Sequence, residues 1–199
     1  MSLGDSVRFF DAQFRRQVAA GEFDLNPFER EVLPHLRGEV LEAGCGLGNL
    51  AIAAAERGCT VLALDASEAA IERLRAVAQA RGLPIRAEVA DLSAHAPMPA
   101  GFDAVVAIGL LMFFDCTTAR RQLQRLRDAV RPGGVAAVNV LVEGTTWLQP
   151  FGGDPHCLLR ADELRQAFAD WTLRVDREQR FEAPGGTLKR FATVVAGRP

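Results

Sequence analysis

The sequence has no Cys-x-x-Cys pair; Cys45, Cys59, Cys116 and Cys157 stand far apart, with no second cluster to close a zinc site. They read as reduced thiols, and no metal is expected. No apolar stretch approaches the roughly 20 residues that span a bilayer. Residues 1–17 carry Asp5, Arg8, Asp11, Arg15 and Arg16, so they lack the unbroken apolar core of a signal peptide. The expectation is a cytoplasmic protein with no membrane partner. Charge of one sign is not in excess either. With 23 basic against 25 acidic residues and a net charge of −2, no bulk field draws the chain to nucleic acid or anionic lipid. Internal repeats and low-complexity tracts are also missing.

What is present is ordinary globular material, 199 residues of which 49% are hydrophobic and 24% charged. A chain of this size buries about 70% of the surface it exposes when unfolded. One domain is expected, with 1–37 as an N-terminal helical lid or cap and 38–199 as the α/β core. Short apolar runs alternate with amphipathic segments, the pattern of a parallel sheet with helical crossovers. Gly38 to Ala43 reads as a first strand ending in a glycine loop, followed by a helix from Leu50 to Arg57 that Gly58 stops. Thr60 to Leu64 reads as a second strand closing on Asp65, and Ser67 caps a helix with Ile71, Leu74 and Ala78 on one face. Gly82-Leu83-Pro84 ends that helix before a third strand, Ile85 to Ala90, which closes on Asp91.

Phe102 to Gly109 is apolar enough to be an inner strand, buried on both faces beside the first. Thr117 to Val130 reads as a helix whose Arg120, Arg121, Arg125 and Arg127 form a solvated face. Arg131-Pro132-Gly133-Gly134 breaks it before a fifth strand, Val135 to Val142. A loop from Glu143 to Leu159 and a helix near Ala161 to Ala169 follow. Two β-like runs, Trp171 to Phe181 and Thr187 to Ala196, are divided by Ala183-Pro184-Gly185-Gly186 and read as an antiparallel hairpin at the sheet edge. The expected fold is α/β, a doubly wound and mostly parallel seven-stranded sheet with a C-terminal antiparallel hairpin.

The segment Val40 to Leu50 sits between strand and helix, where open α/β sheets bind ligands. Its glycines read Gly-x-Gly-x-Gly, with Asn49 standing where the dinucleotide pattern has its third glycine, which argues against NAD. Glu42 lies two residues before Gly44. A carboxylate there suits a positively charged methionyl group, whereas a pyrophosphate site gains nothing from it. Asp65, 21 residues after Gly44, is placed to accept ribose hydroxyls, which fits NAD and S-adenosylmethionine alike. Asp91-Leu92 offers a polar contact for an adenine amino group with an apolar wall beside it.

Taken together, Leu41 to Leu50, Asp65, Asp91, the Phe102 to Gly109 strand and Arg131-Pro132-Gly133-Gly134 resemble the class I S-adenosylmethionine-dependent methyltransferases over roughly Glu39 to Val142. The resemblance implies a Rossmann-like methyltransferase fold, S-adenosylmethionine as cofactor and S-adenosylhomocysteine as product. It assigns cofactor contacts to Glu42, Gly44, Cys45, Gly46, Asn49, Asp65, Ala66, Asp91, Leu92 and Ile108. Further on, Leu158 to Leu164, Phe168, Asp170-Trp171 and Phe191 to Ala196 are similar to the C-terminal part of tellurite-resistance methyltransferases. That narrower likeness implies a small, soft acceptor such as a thiol or a chalcogen oxyanion, tellurite among them. The Gly144 to Cys157 loop departs from it and leaves the acceptor open.

Methyl transfer from a sulfonium is an in-line displacement, so alignment alone supplies several kcal/mol and no metal is needed. The acceptor is expected between Leu110 to Asp115, the Glu143 to Leu159 loop and the N-terminal helix. Phe113 is a candidate pocket wall, His156 the candidate base, and Arg8 and Arg160 candidate contacts to an anionic acceptor. Phe9, Phe10 and Phe14 are placed to dock the N-terminal helix as a lid. Two other readings stay open. A nicotinamide-dependent oxidoreductase predicts NADH binding, and a non-catalytic S-adenosylmethionine-binding regulator predicts cofactor binding without any methylated product.

Overall fold

Seven strands form one sheet in a computed structural model that describes residues 5–93 and 99–199. In chain order the elements are α1 (Asp5–Ala20), α2 (Pro27–Val32), β1 (Glu39–Ala43), α3 (Asn49–Glu56), β2 (Thr60–Asp65), α4 (Glu68–Arg81) and β3 (Ile85–Val89). They continue as β4 (Phe102–Ile108), α5 (Cys116–Ala129), β5 (Val130–Leu141), α6 (Ala161–Gln166), β6 (Thr172–Ala183) and β7 (Thr187–Gly197). The strand order is β3-β2-β1-β4-β5-β7-β6. β1 through β5 run parallel, and β7 pairs antiparallel with both β5 and β6. This is the doubly wound sheet with a terminal hairpin, and its order reverses between β1 and β4, which is where such sheets bind ligands.

Local chemistry explains the boundaries. Ser67 Oγ accepts from the Ala70 amide at 3.2 Å and opens α4, and Gly82 closes it in the left-handed region. One sheet face is covered by α3 and α4 through Leu50, Ala54, Ile71 and Leu74, and the other by α5 and α6 through Leu123, Leu126, Leu164 and Phe168. Each of these larger side chains, removed from water, contributes about 1.5–3 kcal/mol. β4 is buried from Ala104 to Ala107, as an inner parallel strand must be.

Four readings of the sequence need correction. α2 was not anticipated, although Asn26 and Glu29 form a reciprocal capping box with Pro27 at the first helical position. The Arg131-Pro132-Gly133-Gly134 segment does not precede β5 but lies within it. Val130 already pairs with Phe102, and the register shifts between Phe102 and Ala104, so the glycines are absorbed in a bulge. Arg127 is not solvated: its side chain lies against the rings of Phe168 and Trp171 and pairs with Asp170 at 2.6 Å. Finally, Cys116 and Cys157 are not free thiols. They form a disulfide, with Cα atoms 4.8 Å apart across 41 residues of sequence, while Cys45 and Cys59 are free and buried. Spacing along the chain carries no sign of this pair. The Cys157 amide donates to the Met112 carbonyl at 3.1 Å, which brings the end of one loop beside the start of α5. Among the described residues no helix is long and apolar enough to cross a membrane.

Candidate active site

The loop from Gly44 to Gly48 turns off the end of β1 and is tied to β2 by the amides of Gly44 and Cys45, which both donate to the Leu64 carbonyl at 2.7 and 3.0 Å. Gly48 opens α3 with φ near 71°, and a Cβ there would lie 2.5 Å from Leu74 Cδ2, so only glycine fits the place where the helix crosses α4. Gly46 also has a positive φ, and the ring of Phe14 from α1 lies 3.0 Å from where its Cβ would be. The N-terminal helix therefore rests directly on the loop.

Asp65, at the end of β2, accepts from the Gly46 amide and from the Ser67 amide, each at 2.8 Å. A carboxylate has about four lone-pair directions, so capacity for two hydroxyl donors is left. Burial pushes its pKa up, and the Ser67 and Gly46 amides pull against that. Ser67 Oγ in turn donates to Asp11 Oδ1 of α1 at 2.5 Å.

Glu42 is buried, and its Oε2 meets no hydrogen-bond partner. Its carboxyl is held well above the usual carboxylate range, first by burial and then by the negative charges of Glu29 and Asp65. Asn49 Oδ1, on the first turn of α3, is likewise buried without a partner. An ionised Glu42 and the Asn49 amide oxygen are acceptors, and none of the described residues donates to these two atoms. The methionyl ammonium of S-adenosylmethionine supplies such a donor, and the residues present fit it. Among the described residues no group of acidic, histidine or cysteine side chains is arranged to hold a metal ion.

The remaining cofactor candidates divide. Cys45 is buried in the loop and its thiol is pushed well up by burial, then by Glu42 and Asp65, which keeps it neutral. Gly44 follows β1 with Leu110 packed where its Cβ would lie, Ile108 ends β4, and Ala66 lies exposed beside Asp65. Asp91 accepts from the Ser93 amide at 2.9 Å and from its hydroxyl at 2.6 Å, so it closes a turn after β3, with Leu92 half-buried beside it.

On the acceptor side the structure gathers a continuous row of rings. Phe14 meets Phe10 at 5.8 Å, Phe10 meets Phe113 at 5.0 Å, Phe113 meets Phe151 at 5.2 Å, and Phe151 stacks on His156 at 4.4 Å. Phe9 branches from Phe10 to Trp147, whose face carries the Lys189 ammonium 3.6 Å from its centroid. Phe113, the candidate pocket wall, and His156, the candidate base, both belong to this row. His156 lies at its exposed end, with Nδ1 3.4 Å from the Asp154 carbonyl. The two arginines are exposed, Arg160 bonded to Asp162 at 3.0 Å and Arg8 on α1. Sequence reading missed Trp147, Phe151 and Asp11. The first two lie in the loop flagged for the acceptor, but a loop has no periodicity from which to read direction.

Comparison with known proteins gives the same picture. Residues 40–134 match the family described as a methyltransferase domain. The chain is 31% identical over 164 residues to 2-heptyl-1-hydroxyquinolin-4(1H)-one methyltransferase of Mycobacteroides abscessus, covering 79% of this chain and 71% of that one. It is 27% identical over 169 residues to Hemagglutinin 1 of Eikenella corrodens, covering 81% of this chain but only 55% of the relative. Its fold is similar to that of TehB from Haemophilus influenzae, with a TM-score of 0.77 at 18% identity over 92% of this chain and 65% of the other.

Proposed function

Since the chain belongs to the class I S-adenosylmethionine-dependent methyltransferases, we propose that it transfers the cofactor's methyl group to a small, flat acceptor held under the row of aromatic rings. The row from Phe14 to His156 carries this reading. Rings in edge and stacked contact recognise an aromatic or soft, polarizable partner, and each such contact is worth about 0.5–1.5 kcal/mol beyond area burial.

Bound S-adenosylmethionine supplies an electrophilic methyl carbon. Glu42 and Asn49 hold its methionyl end, Asp65 its ribose, and Asp91 with Leu92 its adenine. Alignment of nucleophile, methyl carbon and leaving sulfur is the main contribution the chain makes. His156, on the edge of the roof, takes the proton of a hydroxyl or thiol acceptor. An N-hydroxyquinolone fits by the activity for which the Mycobacteroides relative is named. The oxyanion reading, tellurite included, has the fold likeness to TehB behind it, but it calls for cationic contacts, and Arg160 is exposed and paired with Asp162. The N-terminal residues 1–37 serve as the lid, with α1 docked on Gly46 through Phe14.

The test is a panel assay for S-adenosylhomocysteine release. Turnover is expected with 1-hydroxyquinolin-4(1H)-ones, phenols or thiophenols, and none with tellurite or selenite. Cofactor binding with no product across the panel would favour a regulator instead.

A further inference from the structure

The disulfide joins the two segments that build the roof. Cys116 is the first residue of α5 and follows Phe113, Phe114 and the capping Asp115. Cys157 follows His156, whose ring stacks on Phe151, and its own amide is bonded to the Met112 carbonyl. A cavity of about 250 Å³ opens between these segments, walled by Phe113, Phe114, Asp115 and Thr118 on one side and by Asp154 and Pro155 on the other. The cofactor loop is tied elsewhere, to β2 and to Asp65, by bonds that do not involve either cysteine.

We propose that Cys116 and Cys157 form a dithiol–disulfide switch for the acceptor side of the site. Oxidised, the pair holds 148–157, with Phe151 and His156, against Phe113; reduced, it releases them and leaves the cofactor loop intact. The inference rests on the reading of these rings as the acceptor roof. The reductant is a dithiol. Its thiolate attacks Cys116 Sγ, the half-buried partner, the S–S bond breaks, and Cys157 leaves as a thiolate and takes up a proton. The second thiol of the reductant then displaces Cys116 from the mixed disulfide. Two electrons and two protons pass to the protein, and the reductant ends as its own disulfide. Thr146 and Trp147 stay bonded to the Leu188 carbonyl of β7, so the release is confined to 148–157 and α1 keeps its contact through Phe9 and Trp147.

The full-length chain, purified in air, is denatured without reductant and its thiols are titrated. Two are expected, Cys45 and Cys59, rising to four after dithiothreitol. Hydrogen exchange of the native protein is then followed with and without dithiothreitol. Exchange at 148–157 is expected to rise at least about tenfold on reduction, while that of 40–50, 60–67 and 145–147 stays within about twofold. The double variant C116S/C157S is expected to show the raised exchange whether or not dithiothreitol is present. Four thiols without reductant, or unchanged exchange at 148–157, overturns the proposal. So does a rise spread across the whole sheet, which would make the bridge a staple of the fold. None of these readings depends on finding an acceptor, so their failure is distinct from failure of the methyl-transfer assignment.

Discussion

Ser67 Oγ donates to Asp11 Oδ1 at 2.5 Å, and the same hydroxyl accepts from the Ala70 amide at 3.2 Å. One side chain therefore caps α4 and fastens α1 to the rim of the cofactor crevice. Ser67→Ala removes both bonds, and the loss of the cap alone costs about 1–2 kcal/mol. Urea unfolding is expected to show that decrease, and proteolysis within α1 should quicken. A midpoint equal to that of the parent would mean that Ser67 performs neither task.

Asp65→Ala is expected to weaken S-adenosylmethionine binding by at least about 1.5 kcal/mol, because it removes charge-assisted bonds to the ribose and frees the Gly46 amide. Calorimetric titration of the folded variant reads this directly. An unchanged dissociation constant rules out the ribose role.

Glu42 sets a pH dependence. Its folded pKa lies above the unfolded value, because burial and the charges of Glu29 and Asp65 disfavour the carboxylate. The empty protein therefore keeps the full benefit of a neutral Glu42 below the unfolded pKa of about 4.5 and loses it as pH rises through the folded value. The cationic cofactor prefers the ionised form, so binding is expected to tighten with rising pH and to release protons. Titration in two buffers of different ionisation enthalpy measures the release. Glu42→Gln should make the empty protein more stable at neutral pH while weakening the cofactor. Tighter cofactor binding by that variant would contradict the assignment.

Phe113 stands between Phe10 and Phe151 in the ring row. Phe113→Ala is expected to raise the KM for an aromatic acceptor at least about tenfold, the equivalent of about 1.4 kcal/mol, with the cofactor constant unchanged. Initial rates at saturating cofactor give both numbers. An equal loss of cofactor affinity would place Phe113 in the other half of the site.

The sheet and the cofactor end were legible in the sequence because each depends on local signals. Ser67, Gly58 and Gly82 punctuate helices where they stand, and the apolar run of β4 declares its burial without reference to anything distant. Glu42, Gly44 to Gly48 and Asp65 share one short stretch of βαβ whose geometry is fixed by the fold. The acceptor side was not legible in the same way. Phe10, Phe113 and Phe151 meet only through packing of three distant segments, and the same packing brings Cys157 to Cys116 across 41 residues. Arg160 shows a related limit: nearness in sequence to His156 does not reveal its ion pair with Asp162. Asn26 and Glu29 did carry a local signal, the capping box of α2, which was overlooked because the segment is so short.

The most direct measurement is calorimetric titration of the purified protein with S-adenosylhomocysteine, which carries most of the recognition groups of the cofactor and cannot react. Micromolar or tighter binding is the predicted result, lost or weakened in Asp65→Ala. An intact, folded protein that does not bind it would leave the buried Glu42 carboxyl and the glycine loop without a ligand and would contradict the account.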